Sequence, residues 1–185
     1  LAERSREPDR LKLLFTDSKK DTATWWPILT GLANLTMDDR GQIRNRAMTA
    51  LFAILSKQGL HFSSGLWELI FKGVLFPIFD DVQHSYERNH EKIGQFVENI
   101  DNKIPVVDTR IDAWLKSTCQ DALNGVVSLF FKKETFTLLN FLLCDLMQLL
   151  ENCIVHPNQV LARKGVSCLK NLLLEAGSHF DTDTW

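Results

Sequence analysis

This sequence predicts an all-α helical solenoid of about six to seven helices. Three observations carry that expectation. Apolar residues recur at three- and four-residue steps, and no run shows the two-residue alternation of a half-buried strand. A helix-plus-turn unit is used twice: Gly59-Leu60-His61-Phe62 with Trp67 returns 118 residues later as Gly177-Ser178-His179-Phe180 with Trp185. At the same offset Ile43 corresponds to Leu161, Arg46 to Lys164, Leu51 to Leu169, Ile54 to Leu172 and Leu55 to Leu173. Repetition at helical spacing means stacked units that cover one another's apolar faces and present an extended binding surface.

The elements follow in order. Residues 1–22 are charged and mixed and read as linker or the end of a flanking helix, with a short helical turn at Leu11, Leu13, Leu14 and Phe15. A single solenoid fragment is expected over residues 23–185. Thr24 caps its first helix, which opens Trp25-Trp26-Pro27, because proline suits a first turn, and runs to about Thr36. Asp38 and Asp39 open the second, with an apolar stripe at Ile43, Ala47, Ala50, Leu51, Ile54 and Leu55 and Gly59 as its C-terminal stop. Ser63 or Ser64 caps a third, through Trp67, Ile70, Phe71, Val74 and Leu75, and Pro77 kinks its end.

Residues 81–107 are polar, interrupted by Gly94 and Pro105, and read as a long loop. Helices resume near Asp108. Leu115, Cys119, Ala122, Val126, Leu129 and Phe130 form the next stripe, with Lys132 and Lys133 placed to favour the negative pole of the helix dipole. Phe136 to Glu151 is apolar nearly all round and is expected to be buried on all sides. A last helix from about Asn158 to Glu175 repeats the second.

The bulk numbers bound the function. The net charge is −2, from 21 basic and 23 acidic residues, which leaves no footprint for nucleic acid. Cys119, Cys144, Cys153 and Cys168 lie in apolar helical stretches without a C-x-x-C pair, so a reducing intracellular setting is expected. The run Phe136–Leu150 is broken by Asn140 and Asp145 and is too short to cross a bilayer. The first residue is not Met and Trp185 opens what reads as another helix, so the sequence is expected to be an excerpt of a longer protein.

Motifs for chemistry are absent. The histidines (His61, His84, His90, His156, His179) show no metal-ligand spacing among themselves or with cysteine. No nucleophile elbow or phosphate-binding glycine loop occurs, and Asp80-Asp81 sits where carboxylates cap or solvate a helix end. No catalytic residue, metal or cofactor is expected. The aromatics Trp25, Trp26, Phe62, Trp67, Phe71, Phe76 and Phe79 crowd one stretch. They fill a core, or some of them line a groove for a partner helix. Phe62, Trp67, Phe76 and Phe79 are the candidate anchors.

Asp38, Ile43, Arg44 and Ala47 spell D-x4-I-R-x2-A, which resembles the first half of a HEAT repeat. The resemblance implies a HEAT/armadillo-like right-handed stack in which aspartate and arginine of successive units form a polar ladder. The repeat positions are then Asp38, Arg44, Ala47, Gly59, Gly177 and Phe180. The second copy carries His156, Leu161, Ala162 and Gly165 at these places and departs from the ladder.

A wider likeness spans residues 24–185. Trp26-Pro27-Ile28-Leu29, Asp38, Ile43-Arg44, Ala50 to Leu55, Gly59-x-x-Phe62, Trp67 and Val74-Leu75-Phe76-Pro77-Ile78-Phe79-Asp80 carry its first part. Trp114-Leu115-x-x-x-Cys119, Leu161-Ala162-Arg163-x-Gly165-x-x-Cys168-Leu169-x-x-Leu172 and Gly177-x-x-Phe180 carry its second. Together they resemble the C-terminal helical region of the large brefeldin-inhibited, Sec-seven-type Arf guanine-nucleotide exchange factors. The related Mon-type Golgi scaffolds share it. The resemblance implies a non-catalytic regulatory segment, with exchange chemistry in a separate upstream domain. It implies contact with Arf or Rab GTPases and with other domains of the same protein, and indirect or weak association with trans-Golgi membrane. A generic HEAT scaffold of another trafficking protein is the alternative, and an enzyme is a second. Direct lipid binding has no basic amphipathic face to support it.

Overall fold

The computed structural model describes residues 22–80 and 109–180, and all regular structure among them is helical. The expectations for the linker before Thr22 and for the 81–107 loop lie outside the described residues. Six rods form three hairpins. In the first, α1 (22–35) is followed by α2 (Gly41–Gln58). The second pairs α3 (Ser64–Ile70), which continues through a π-turn into α4 (77–80), with α5 (Thr109–Ser117) and α6 (Cys119–Ser128). The third pairs α7 (Lys133–Leu139) and α8 (Leu143–Ile154), joined by a 3-10 turn, with α9 (Gln159–Ala176). The rods α2, α6 and α9 lie side by side in one layer, and α3 meets α7 in the other. This is the helical-repeat stack that the sequence predicts.

The duplication holds in three dimensions. Both α2 and α9 have 18 residues and end in 3-10 turns, Gly59–His61 and Gly177–His179, again 118 residues apart. Each turn closes with a phenylalanine amide donating to the glycine carbonyl, at 3.1 Å for Phe62 and 3.2 Å for Phe180. The glycines do not act as left-handed stops: Gly59 has φ −58° and Gly177 φ −58°. What demands glycine at 59 is space. A Cβ there would lie 2.5 Å from Trp67 Cζ2, because the indole lies across the turn and donates from Nε1 to the Gly59 carbonyl at 3.0 Å.

Other local expectations shift for identifiable reasons. Thr24 lies inside α1, not at its cap, since the helix already includes residue 22. Ser63 does cap α3, accepting from the Leu66 amide at 3.2 Å. Pro77 supplies no N–H to Gly73 and its ring would crowd that carbonyl. The rod answers with the π-turn Phe71–Leu75, in which the Phe76 amide donates to Phe71 at 2.9 Å. Lys132 and Lys133 do not close α6, which ends at Ser128; they open α7 instead.

The Lys133–Ile154 rod is 22 residues long, so by length and composition it reaches the threshold for a membrane span that its apolar run seemed to miss. Its apolar side chains are largely spent on the core: Phe136, Leu139, Leu142, Leu143, Leu146, Leu149, Leu150 and Cys153 are buried. Burial on all sides is not observed, because Phe141 and Met147 are exposed.

A chain of rings ties the three hairpins together at the C-terminal ends of α2, α6 and α9. Its centroid spacings are Trp25–Phe62 5.5 Å, Phe62–Trp67 5.6 Å, Trp67–Phe71 6.1 Å, Phe71–Phe130 5.9 Å, Phe130–Phe136 6.4 Å and Phe136–Phe180 5.6 Å. These separations and the mostly tilted or edge-on geometries are those in which aromatic pairs attract beyond simple burial.

Candidate interaction face

The residues singled out from the sequence fall mostly inside the stack. Phe62, Trp67 and Phe79 are buried, and Phe76 is half-buried with its edge against Phe71 at 5.7 Å. Phe62 and Trp67 are links of the aromatic chain, and Phe79 packs edge-on against Trp114 at 6.1 Å. In this arrangement the rings hold hairpin to hairpin.

Asp38 and Arg44 do not pair carboxylate to guanidinium. Asp38 precedes α2 and accepts from the Arg40 amide and side chain, each at 2.9 Å. Hydrogen bonding to Arg40 holds its carboxyl well below the usual carboxylate range. The charge partner is thus satisfied locally, and Arg44 turns elsewhere. Its Nη1 donates to the Asp38 and Asp39 carbonyls at 2.8 and 3.0 Å. Its Nε reaches Thr118 Oγ1 at 3.0 Å and its Nη2 reaches Ser117 Oγ at 2.9 Å, both in the next hairpin. A rung between units is present, made of hydroxyls in place of a second carboxylate.

Thr118 and Trp114 are what sequence reasoning missed. Thr118 breaks the α5–α6 rod with φ −121°, and it is wholly buried. Trp114 donates from Nε1 to the Thr36 carbonyl at 3.0 Å and so clamps the α1–α2 turn. A lone threonine and a lone tryptophan in a helical stripe carry no spacing signal that would mark them as inter-unit clamps.

Ala47 and its counterpart Gly165 both face inward. A Cβ at 165 would lie 2.9 Å from Cys153 Cβ and 3.2 Å from the Ile154 amide nitrogen, so α8 and α9 meet almost backbone to backbone. Phe180 stacks on Phe136. His179 Nε2 lies 3.1 Å from the Phe131 carbonyl, joining the third hairpin to the second. Cys119, Cys153 and Cys168 are buried free thiols where α6, α8 and α9 meet, and Cys144 is exposed.

Among the described residues no three His, Cys, Asp or Glu side chains converge to hold a metal ion. One concave feature among the described residues is an open groove of about 220 Å³ between α1 and the π-turn, lined by Thr30, Ala33, Asn34, Met37, Gly73, Val74, Pro77 and Ile78. It offers no converging ionisable groups.

Comparison with known proteins agrees with this picture. A family described as "GBF1-like, tetratrico peptide repeat region" matches residues 25–179. Brefeldin A-inhibited guanine nucleotide-exchange protein 2 of Arabidopsis thaliana is 38% identical over 161 residues, covering 87% of this chain and 9% of that protein. The ADP-ribosylation factor guanine nucleotide-exchange factor SEC7 of Saccharomyces cerevisiae is 32% identical over 163 residues, 87% of this chain and 7% of its own length. The bovine brefeldin A-inhibited guanine nucleotide-exchange protein 1 is 27% identical over 161 residues, 8% of its length. No solved structure matches. The chain spans a tenth or less of the length of the relatives it resembles, and it belongs to the GBF1-like tetratrico peptide repeat region family.

Proposed function

We propose that this chain is a regulatory and interaction segment of a large Arf guanine-nucleotide exchange factor, and that it performs no exchange chemistry itself. The observation that carries the reading is the 38% identity, over nearly the whole chain, to a small fraction of a brefeldin A-inhibited exchange protein. A protein of that length has ample room for its chemistry elsewhere, and the helical stack here is built as a surface, not a chamber. In this reading the segment works at the cytoplasmic face of the Golgi. It contacts GTP-loaded small GTPases of the Arf or Rab families and other domains of its own polypeptide, and it sets how often the exchange domain meets membrane-bound Arf.

The test is exchange on liposomes. Full-length protein is compared with a form lacking residues 22–180, with Arf loading followed by tryptophan fluorescence. Deletion is expected to spare exchange in solution and to change the membrane-dependent rate several-fold. Loss of exchange in solution would place the chemistry in this segment, and identical rates under both conditions would remove the regulatory reading. Separately, GTP-loaded GTPase is expected to retain more of this chain than the GDP form; equal retention contradicts that contact.

A further inference from the structure

We propose that the flank of α9 formed by Ala162, Val166, Leu169 and Leu173 is a packing seam for a further helical hairpin supplied by the polypeptide that follows this stretch in the full-length protein. The four positions are spaced four, three and four residues apart, which puts them on one side of a helix. Through the 118-residue repeat they correspond to Arg44, Met48, Leu51 and Leu55 of α2.

In α2 that stripe is sealed: Met48 is 3% exposed, Leu51 0% and Leu55 1%. It faces the following hairpin, because Arg44 bonds Ser117 and Thr118 there. Phe52, next to the stripe, sits where a Cβ on Gly125 would be, 2.3 Å from its Cε2. In α9 the same stripe is only partly covered: Val166 is 53% and Leu173 38% exposed, while Ala162 and Leu169 are half-buried. Two helices of equal length and equal C-terminal turn thus differ in how fully a later hairpin covers them.

The occupant follows from that continuity. The sequence repeat extends to Trp185, counterpart of the Trp67 that opens the hairpin after α2. The curated relatives carry this stretch as 7–10% of much longer polypeptides. The contact differs in one respect. Ala162 replaces Arg44 and Lys170 replaces Phe52, so neither the guanidinium rung nor the ring-on-glycine contact is repeated. The seam at α9 is apolar, bordered by Arg163 and Lys170 on the solvent side.

Thiol protection tests this. Val166→Cys is made in a Cys144→Ser background, in the 185-residue chain and in the full-length protein, and maleimide labelling is timed in the native state. The full-length protein should label at least 10-fold more slowly. Equal rates in both would overturn the proposal. So would protection in the short chain that disappears on dilution, since a second copy would then be the cover. Leu173→Glu serves as a second variant: it should leave hydrogen exchange across 159–176 unchanged in the short chain and raise it in the full-length protein. No change in either would also refute the seam.

Discussion

Arg44→Met removes the guanidinium and keeps an unbranched apolar stem, so it isolates the polar rung between the first and second hairpins. Four hydrogen bonds of 2.8–3.0 Å disappear: two to the Asp38 and Asp39 carbonyls and two to Thr118 and Ser117. The gross loss is large, because a hydrogen bond to a charged group contributes about 1.5–3 kcal/mol. Three offsets reduce it. The two carbonyls are only partly buried and recover water. Ser117 keeps its bond to the Ala113 carbonyl at 2.7 Å and its contact with Thr118 at 3.1 Å. The variant also escapes the cost of desolvating a cation. The net expectation is a loss of about 2–3 kcal/mol. Urea unfolding followed by circular dichroism measures it. A double-mutant cycle with Thr118→Val should return a coupling of about 1 kcal/mol or more, since the partners touch across 74 residues of sequence. A total loss below about 0.5 kcal/mol with no coupling would refute the rung as an inter-unit tie.

Three further outcomes are expected. Gly59→Ala should destabilise by about 1–3 kcal/mol in thermal melts, because the buried Trp67 ring leaves no room for a Cβ; helical Gly→Ala ordinarily stabilises by about 1 kcal/mol, so the sign alone is informative. Native-state alkylation should modify Cys144 and spare Cys119, Cys153 and Cys168, with mass spectrometry as the readout. Burial pushes Cys119 and Cys153 up to about 12 and Cys168 up to about 11. The folded chain therefore holds these protons more tightly than the unfolded one, whose thiols titrate near about 8.5. Stability should be at full value below about pH 8.5 and fall as pH rises toward 11–12, by at most about 1.4 kcal/mol per thiol per pH unit; replacing all three with alanine should flatten that slope.

What was legible in the sequence was whatever rests on local periodicity. The 118-residue repeat located α2 and α9 and both turns, because an identical stripe and an identical G-x-x-F turn must fold alike. What was not legible rests on contacts far apart in sequence. Asp38 and Arg44 read as ladder positions facing successive units, yet an arginine two residues after Asp38 captures its carboxylate first, and only Arg44 reaches the next hairpin. Gly59 read as the C-terminal stop of α2 and stands at its C-cap, yet what demands glycine there is an indole eight residues on. The aromatics of the first third read equally as core or as groove. Only the positions of Phe130, Phe136 and Phe180, from two later hairpins, show that Phe62 and Trp67 are links in one chain of rings.

The two sets of inter-unit ties sit at opposite ends of the same layer. Arg44, Thr118, Trp114 and Thr36 bind the first two hairpins near the start of α2, and the ring chain binds all three near the ends of α2, α6 and α9. An 18-residue helix is about 27 Å long, so the ties are separated by nearly the full depth of the stack. A joint held at one end can hinge; a joint held at both ends resists bending in that plane. The first junction therefore behaves as a rigid splice. Under the proposed function, this favours control by position over control by internal rearrangement. It also explains why the most conspicuous aromatics are spent inside, where stiffness is set, instead of outside, where partners dock.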